Sequence, residues 1–199
     1  MKNVVLYMLF FCFFSCKKAE KRYMVVSKIK SAAKLVTTET LIDKVIFGSK
    51  ERKFLGFVRL GEARYVATSH AIVKAGIDLE KITAKDIEIN EKSIRINLPP
   101  IQVLSFSYPF ETFVTDLAIT DNSFFVKMGI QDFEYFYQQA ELDIRRTLPY
   151  LGIQAATKQK TTLVMKGLLK NLGYEEIDLI FKEGKLIEEV PSEDSLHVE

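Results

Sequence analysis

Residues 63–77, ARYVATSHAIVKAGI, decide how the rest of this 199-residue chain is interpreted. The odd positions of this stretch are apolar or small from Ala63 to Ile77, whereas the even positions include Arg64, His70 and Lys74. Successive side chains of a β-strand point to opposite faces, so this alternation predicts a long strand with one covered face. The sequence therefore predicts a sheet at the centre of the fold.

Further strands are predicted on both sides of this segment. Residues 36–46 are rich in β-branched side chains, and residues 48–61, with three glycines and a cluster of charges, are typical of a hairpin or flexible loop. Residues 86–98 predict a second hairpin that ends at Pro99, because proline cannot donate to a strand ladder. The last two strands are predicted over residues 101–110 and 175–181.

The hydrophobic period changes in the second half of the chain. Over residues 124–149, apolar side chains recur at steps of three and four residues, which predicts an amphipathic helix with an internal Glu141–Arg145 pair. The apolar positions are Phe133, Phe136, Tyr137, Ala140, Ile144 and Leu148. Another helix is predicted over residues 24–35. A third is predicted over residues 155–172, with Gly173 as its C-cap and one apolar side formed by Leu163, Gly167, Leu168 and Leu172.

This order of elements predicts the fold class α+β. We expect a mainly antiparallel sheet with two C-terminal amphipathic helices packed on one face and a final short strand. A single α+β domain is expected over residues 24–182, followed by an acidic flexible tail over residues 183–199.

The first residues of the chain predict a signal peptide. Behind Lys2, an apolar run of about a dozen residues is too short to cross a bilayer, which needs about 20, but it suits the central part of a secretory signal. The run ends in FFSC, and this segment resembles a bacterial lipoprotein signal with Cys16 as the acylated residue. The resemblance implies a signal peptide over residues 1–15, a lipidated tether over residues 16–23 and a membrane anchor of acyl chains such as palmitate.

Lys17 bears on the destination of such a lipoprotein. In this class of signals, an aspartate after the cysteine favours retention in the inner membrane, and Lys17 stands there instead. The resemblance therefore implies a lipid anchor in the bacterial outer membrane, with the domain in the periplasm. Three alternatives remain: a plain secretory signal, an uncleaved N-terminal anchor and a buried N-terminal strand.

Composition argues against several classes of function. A formal net charge of +2 gives no basis for nucleic-acid binding, which needs a strongly basic face. No metal site is predicted, because the only histidines are His70 and His197 and the only cysteines are Cys12 and Cys16. No cofactor is predicted, since the chain has no glycine-rich phosphate loop.

No catalytic residue is predicted either. His70 is interpreted as a sheet histidine, and Ser69 points to the opposite face of the strand, so the two cannot form a nucleophile–base pair. A pair of carboxylates for glycan hydrolysis remains an alternative. The acids predicted nearest to strand ends are Glu39, Asp43, Asp78 and Asp86.

Two groups of side chains are candidate interaction surfaces. Lys158, Lys166 and Lys170 form a basic helix face that suits anionic lipid or an acidic partner, although a solvated face is favoured. An aromatic group suits an apolar groove, although core packing is favoured; its members are Phe106, Tyr108, Phe110 and Phe113.

Five stretches together resemble a known family. They are KLVTTE (34–39), AIVKAGIDL (71–79), IRINLPPIQVLS (94–105), QAELDIRRTLPYLGI (139–153) and LLKNLGYEEIDLIF (168–181). In this order they are similar to the uncharacterised bacterial family called domain of unknown function 4230, over about residues 24–182. The resemblance implies N-terminal membrane anchoring, in agreement with Cys16, and assigns no catalytic residue. In these motifs Gly76 is expected to permit a tight turn and Asp78 to cap a short helical turn.

The leading hypothesis is therefore a non-enzymatic binding or scaffolding module of the cell envelope. It would contact the membrane through its lipid anchor and bind an envelope protein partner. The alternatives are a carboxylate-based hydrolase of envelope glycans and a carrier of an apolar ligand.

Overall fold

The structure, a computed structural model, describes residues 21–117, 120 and 126–187. The predicted signal peptide, Cys16, most of the tether, His197 and most of the acidic tail lie outside the described residues. Within them the chain is α+β, with mostly antiparallel strands, which confirms the predicted fold class.

The order of elements follows the sequence pattern. Helix α1 covers residues 21–30, α2 covers Ile130–Thr147 and α3 covers Ile153–Asn171. The strands are β1 (Lys34–Phe54), β2 (Val58–Asp78), β3 (Ile87–Asn90), β4 (Ser93–Leu98), β5 (Gln102–Ser107), β6 (Val114–Thr115) and β7 (Glu176–Phe181).

The strands form two sheets, so the expectation of one sheet is wrong. One sheet has the order β1-β2-β5, with β6 also paired to β2, and the other has the order β3-β4-β7. In the second sheet β3 and β4 are antiparallel, whereas β7 runs parallel to β4, with Ile96 opposite Leu179. A parallel neighbour for β4 cannot be inferred from hairpin spacing, because the chain between β4 and β7 runs through β5, β6, α2 and α3.

The chain forms two compact units of interleaved segments. Among the described residues, the first unit contains 21–38, 75–104 and 154–186, and the second contains 39–74, 105–117, 120, 126–153 and 187. The predicted limits of a single domain, 24–182, stay a prediction.

The second sheet contributes one part of the core of the first unit. The β3–β4 hairpin pairs Ile87 with Ile96 and Ile89 with Ile94, as the sequence pattern predicts, and all four side chains are buried. Alternate exposed positions in both strands carry polar groups. Alternation of this kind is typical of an antiparallel pair with one covered face.

Helix α3 has the predicted extent within two residues, but its buried side differs from the prediction. Its buried positions recur every four residues and include Thr157, Thr161, Met165 and Leu169. Leu163 is 76% exposed, and Gly167 is also exposed. The prediction from the leucines was wrong because two of the five buried positions of α3 are threonines. One of them, Thr161, bonds to the Thr37 hydroxyl at 2.8 Å.

Strand β2 carries the face that the opening stretch of sequence predicted. The odd positions of residues 63–77 are all buried, including Tyr65 and Ser69. In α2 the buried residues are Ala140, Leu142 and Ile144, and Leu148 is buried just beyond the helix. Phe133, Phe136 and Tyr137 are half-buried, which leaves this end of α2 accessible to the site described below.

Three local predictions had different outcomes. The first helix ends at residue 30, and residues 34–35 already belong to β1, so the predicted helix 24–35 is too long. Gly76 lies inside β2 rather than in a turn; a Cβ there would lie 1.9 Å from the Leu35 carbonyl oxygen. Asp78 caps a short helical turn as predicted, since its Oδ1 accepts from the Glu80 N–H at 3.2 Å.

Candidate functional site

The candidate site is an aromatic cluster in the second unit. Strand β5 ends at Ser107, and Pro109 precedes the helical turn Phe110–Thr112. The ring centroid of Tyr137, from α2, lies 5.0 Å from that of Tyr108 and 5.4 Å from that of Phe113. Phe110 stacks on Phe113 at 5.2 Å. Aromatic contacts of this kind stabilise a defined ring arrangement by more than the burial of apolar area alone would.

Hydrogen bonds hold the inner side of this cluster. The hydroxyl of Tyr137 donates to the Tyr108 carbonyl oxygen, and the Tyr108 hydroxyl lies 2.6 Å from Oγ of Ser69. Burial is the main cause that raises the pKa of both tyrosines. These phenols therefore stay neutral at ordinary pH, so they act as hydrogen-bonding groups that position the rings rather than as bases.

An open groove lies beside the cluster. Its volume is about 400 Å³, and its lining is almost wholly apolar apart from Glu134. Ile130, the first residue of α2, is 84% exposed, and Phe110 is 64% exposed. Phe133 and Tyr137 complete the lining. Large apolar side chains at this exposure form a surface suited to contact with another apolar group.

Contacts between α2 and strands β1 and β2 hold the wall of the groove in place. The ring of Tyr65, on β2, meets that of Phe133 edge to face at 4.8 Å. Gly48, on β1, is buried under Phe136, where a Cβ would lie 2.2 Å from the ring. Any larger residue at position 48 would displace the Phe136 ring, so this glycine permits the close packing of that ring against β1.

The aromatic group predicted from sequence is only partly brought together. Tyr108, Phe110 and Phe113 belong to the cluster. Phe106 instead packs against Arg145, whose Cζ lies 3.9 Å from the centroid of the Phe106 ring. Arg145 is paired with Glu141, as predicted. Sequence reasoning missed the contributions of Ile130, Phe133 and Tyr137. The last two lie on the predicted apolar stripe of α2, which was the available signal.

Three of the four acids considered for hydrolysis have other contacts. Glu39 lies 3.3 Å from Lys74 Nζ, Asp78 caps its helical turn, and Asp86 lies 2.7 Å from Lys182 Nζ. Asp43 is exposed on β1. Burial pushes the pKa of Asp86 upward, but hydrogen bonds from Lys182 and Thr83 outweigh it, so the pKa is lowered. A general acid requires the opposite shift.

Histidine, metal and lysine candidates form no assembled site in the described part of the chain. His70 is half-buried in β2, and its backbone N–H points to the Thr112 hydroxyl at 3.4 Å. Within residues 21–117, 120 and 126–187, no three His, Cys, Asp or Glu side chains lie close enough to hold a metal ion. Lys158, Lys166 and Lys170 are exposed, and Lys158 lies 5.5 Å above the Phe181 ring.

The first unit contains a polar cavity of about 540 Å³ near the β3–β4 hairpin. Its most prominent cation, Arg95, is bonded to Asp178 at 2.7 Å and lies 3.8 Å from Glu88. The hydrogen bond that Arg95 donates to the Asp178 carboxylate raises the pKa of Arg95. Arg22 also lines this cavity, and its buried Nε has no hydrogen-bond partner among the described residues, so the charges of the cavity are not all paired.

The fold and the groove together define an α+β protein with an aromatic surface groove. The chain belongs to the family described as "Protein of unknown function (DUF4230)", which it matches over residues 27–179. This match confirms the resemblance of the five sequence stretches to that family. No curated protein and no solved structure matches the chain. Among the helices of the described segments, none combines the length and the apolar character needed to cross a membrane.

Proposed function

We propose that this protein is a non-enzymatic binding module of the bacterial cell envelope. In this proposal Cys16 is acylated and anchors the chain to the outer membrane, and the domain lies in the periplasm. The aromatic groove receives an apolar segment of an envelope protein partner. The observation that carries the proposal is the exposure of Ile130 and Phe110 beside an apolar groove of about 400 Å³.

The groove has the physical properties of a protein-binding site. Buried aromatic anchors dominate the energetics of many interfaces, and they bind best where the receiving surface is preorganised. Here the ring positions of Tyr108 and Tyr137 are fixed by hydrogen bonds and by aromatic contacts. Little side-chain entropy would therefore be lost when a partner binds.

The openness of the site favours a protein partner over the other two candidates. A carrier of an acyl chain needs a cavity that removes most of the ligand from water, whereas Ile130 is 84% exposed. A glycan hydrolase needs one acid with a raised pKa, and hydrogen bonds lower the pKa of Glu62, Asp86 and Asp132.

Site-specific photo-crosslinking tests the groove. A photoreactive phenylalanine analogue is placed at Ile130 in the full chain and activated in the native membranes. Tyr150 is the matched control position, because it is 86% exposed in the same unit but does not line the groove. We expect an adduct of one defined mass from position 130 and none from position 150. An identical adduct pattern at both positions, or no adduct at position 130, contradicts the proposal.

A second step separates specific binding from chance capture. The cross-linked protein is identified, purified and bound to the full chain in solution. We expect Phe110→Ser to weaken this binding about tenfold or more, since loss of one aromatic anchor costs at least about 1.4 kcal/mol. Unchanged affinity in Phe110→Ser contradicts the assignment of the groove as the binding site.

The anchor is tested independently of the groove. Cys16→Ala is expected to abolish incorporation of labelled palmitate and to remove the lipid anchor. Cys12→Ala is the matched control, because Cys12 lies inside the predicted signal peptide, and it is expected to keep both. Labelling that persists in Cys16→Ala contradicts the lipoprotein prediction without affecting the groove.

A further inference from the structure

The connection between β1 and β2 forms an exposed arm. We define the hairpin arm as residues 49–60, all of which are exposed. The strands reverse direction at Leu55 and Gly56, whose φ angles are 52° and 80°. The Phe57 N–H donates to the Phe54 carbonyl oxygen at 3.4 Å. At least one face of an antiparallel strand pair usually packs on the protein core, whereas both faces of this arm are exposed.

Large apolar side chains are concentrated at the apex of the arm. Phe54 is 56% exposed, Leu55 is 72% exposed and Phe57 is 77% exposed. Gly56 is the remaining apex residue, and no atom outside its immediate neighbours lies within 4 Å of the Cβ position built on it. Three exposed apolar side chains on one tight turn are unusual for a surface in contact with water alone.

Positive charge lies directly behind the apex. The arm contains Lys50, Arg52, Lys53 and Arg59 against a single acid, Glu51. Lys50 is held by Asp132 at 2.7 Å, which ties the base of the arm to α2. Lys53 and Arg59 lie 3.7 and 3.6 Å from Glu51, so one carboxylate is shared between two cations. The segment next to the apex therefore keeps an excess of positive charge.

We propose that the hairpin arm inserts its apex into an anionic lipid bilayer. Phe54, Leu55 and Phe57 enter the boundary between headgroups and acyl chains, and Arg52, Lys53 and Arg59 bind the phosphates of the headgroups. The arm is apolar at its apex and cationic next to the apex. This order matches a bilayer, in which apolar acyl chains lie beneath an anionic headgroup surface. Long basic side chains reach the headgroup level while their stems remain in apolar surroundings.

The geometry favours a bilayer over a protein as the occupant. The apex is a turn whose apolar side chains are exposed, whereas the site proposed for a protein partner is a groove. The excess of positive charge is complementary to anionic lipid. This inference uses neither the aromatic groove nor the acylation of Cys16, so it stands or fails independently of the proposed function.

Tryptophan fluorescence tests the insertion, because the chain contains no tryptophan. The Phe57→Trp variant therefore carries a single indole at the apex, and Tyr150→Trp carries one at an exposed position outside the arm. The full-length variants are reconstituted with vesicles of phosphatidylcholine alone or with added phosphatidylglycerol. Matched vesicles contain lipids brominated on their acyl chains, which quench an indole only at close range.

We expect the emission of Phe57→Trp to shift to shorter wavelength and to be quenched by brominated lipid in the anionic vesicles. The Tyr150→Trp variant should show neither effect. Reversal of charge by Arg52→Glu, Lys53→Glu and Arg59→Glu in the Phe57→Trp background should abolish the quenching, with an unchanged far-ultraviolet circular dichroism spectrum. Absence of quenching at position 57, equal quenching in neutral vesicles or equal quenching at position 150 overturns the inference.

Discussion

The hydroxyl oxygens of Ser69 and Tyr108 lie 2.6 Å apart in the unit that carries the aromatic groove. Ser69 belongs to the covered face of β2, and Tyr108 follows the end of β5. The second possible acceptor for Ser69, the Lys44 carbonyl oxygen, is 3.4 Å away, so the bond to Tyr108 is the stronger one. This bond connects the central strand to the aromatic cluster.

Removing the Tyr108 hydroxyl should destabilise the protein and reveal its coupling to Ser69. We expect Tyr108→Phe to lower the free energy of unfolding by about 1–2 kcal/mol, because it leaves a buried serine hydroxyl poorly satisfied. Ser69→Ala added to Tyr108→Phe should cost much less than Ser69→Ala alone. Chemical denaturation of the two single variants and the double variant measures the coupling. Strictly additive effects would show that the two hydroxyls do not depend on each other.

Two glycines should respond in opposite directions to the same substitution. A Cβ at Gly76 would lie 1.9 Å from the Leu35 carbonyl oxygen, so Gly76→Ala must displace one strand of the sheet. We expect a loss of about 3 kcal/mol or more in the free energy of unfolding. Gly167 is exposed in α3 with open space around it, and Gly167→Ala should stabilise the helix by about 0.5–1 kcal/mol. Thermal denaturation compares the two, and equal effects would refute this account of Gly76.

The order and type of the elements were largely predictable from the sequence, because they depend on local periodicity. The face of β2 followed from alternation, and the end of β4 followed from Pro99. The division into two sheets was not predictable, because the parallel pairing of β7 with β4 joins segments about 80 residues apart. The role of Gly76 was missed for the same reason: the atom that excludes a side chain there belongs to a different strand.

The candidate site was predictable as a composition but not as an arrangement. The aromatic residues 106–113 suggested either a groove or core packing, and the sequence could not show that Phe106 would contact Arg145 while Tyr108 contacts Tyr137. The exposure of the hairpin arm was also hidden. Phe54 and Phe57 suit a buried strand as well as an exposed turn, and only the tertiary structure separates the two.

The buried threonines of α3 should differ in the effect of losing their hydroxyls. Thr157 Oγ1 is buried and finds no hydrogen-bond partner in the described part of the chain, whereas Thr161 Oγ1 bonds to Thr37 at 2.8 Å. Valine has nearly the same shape as threonine. We therefore expect Thr157→Val to raise the free energy of unfolding by about 1 kcal/mol and Thr161→Val to lower it by a similar amount. Urea denaturation measures both, and a loss of stability in Thr157→Val contradicts the assignment.

The Asp132 carboxylate accepts a hydrogen bond at the start of α2, and we expect it to make the free energy of unfolding depend on pH. A hydrogen bond from Lys50 is the largest cause that lowers the pKa of Asp132 below its ordinary value of 3.8, followed by one from the Gly129 N–H at 2.7 Å. A carboxyl group with a lowered pKa in the folded state binds protons more readily when the chain is unfolded. Its contribution is therefore present above pH 3.8 and is lost as the pH falls through the folded-state pKa.

We accordingly expect Asp132→Asn to be less stable than the parent protein near neutral pH and to approach it in stability as the pH falls below 3.8. Lys50→Met should remove only part of this pH dependence, because the Gly129 N–H still donates to the carboxylate. Denaturation of the three proteins across this range measures the effect. A constant difference between Asp132→Asn and the parent at every pH would mean that the Asp132 carboxylate gains nothing from its partners in the folded state, and the assigned cause of its lowered pKa would be wrong.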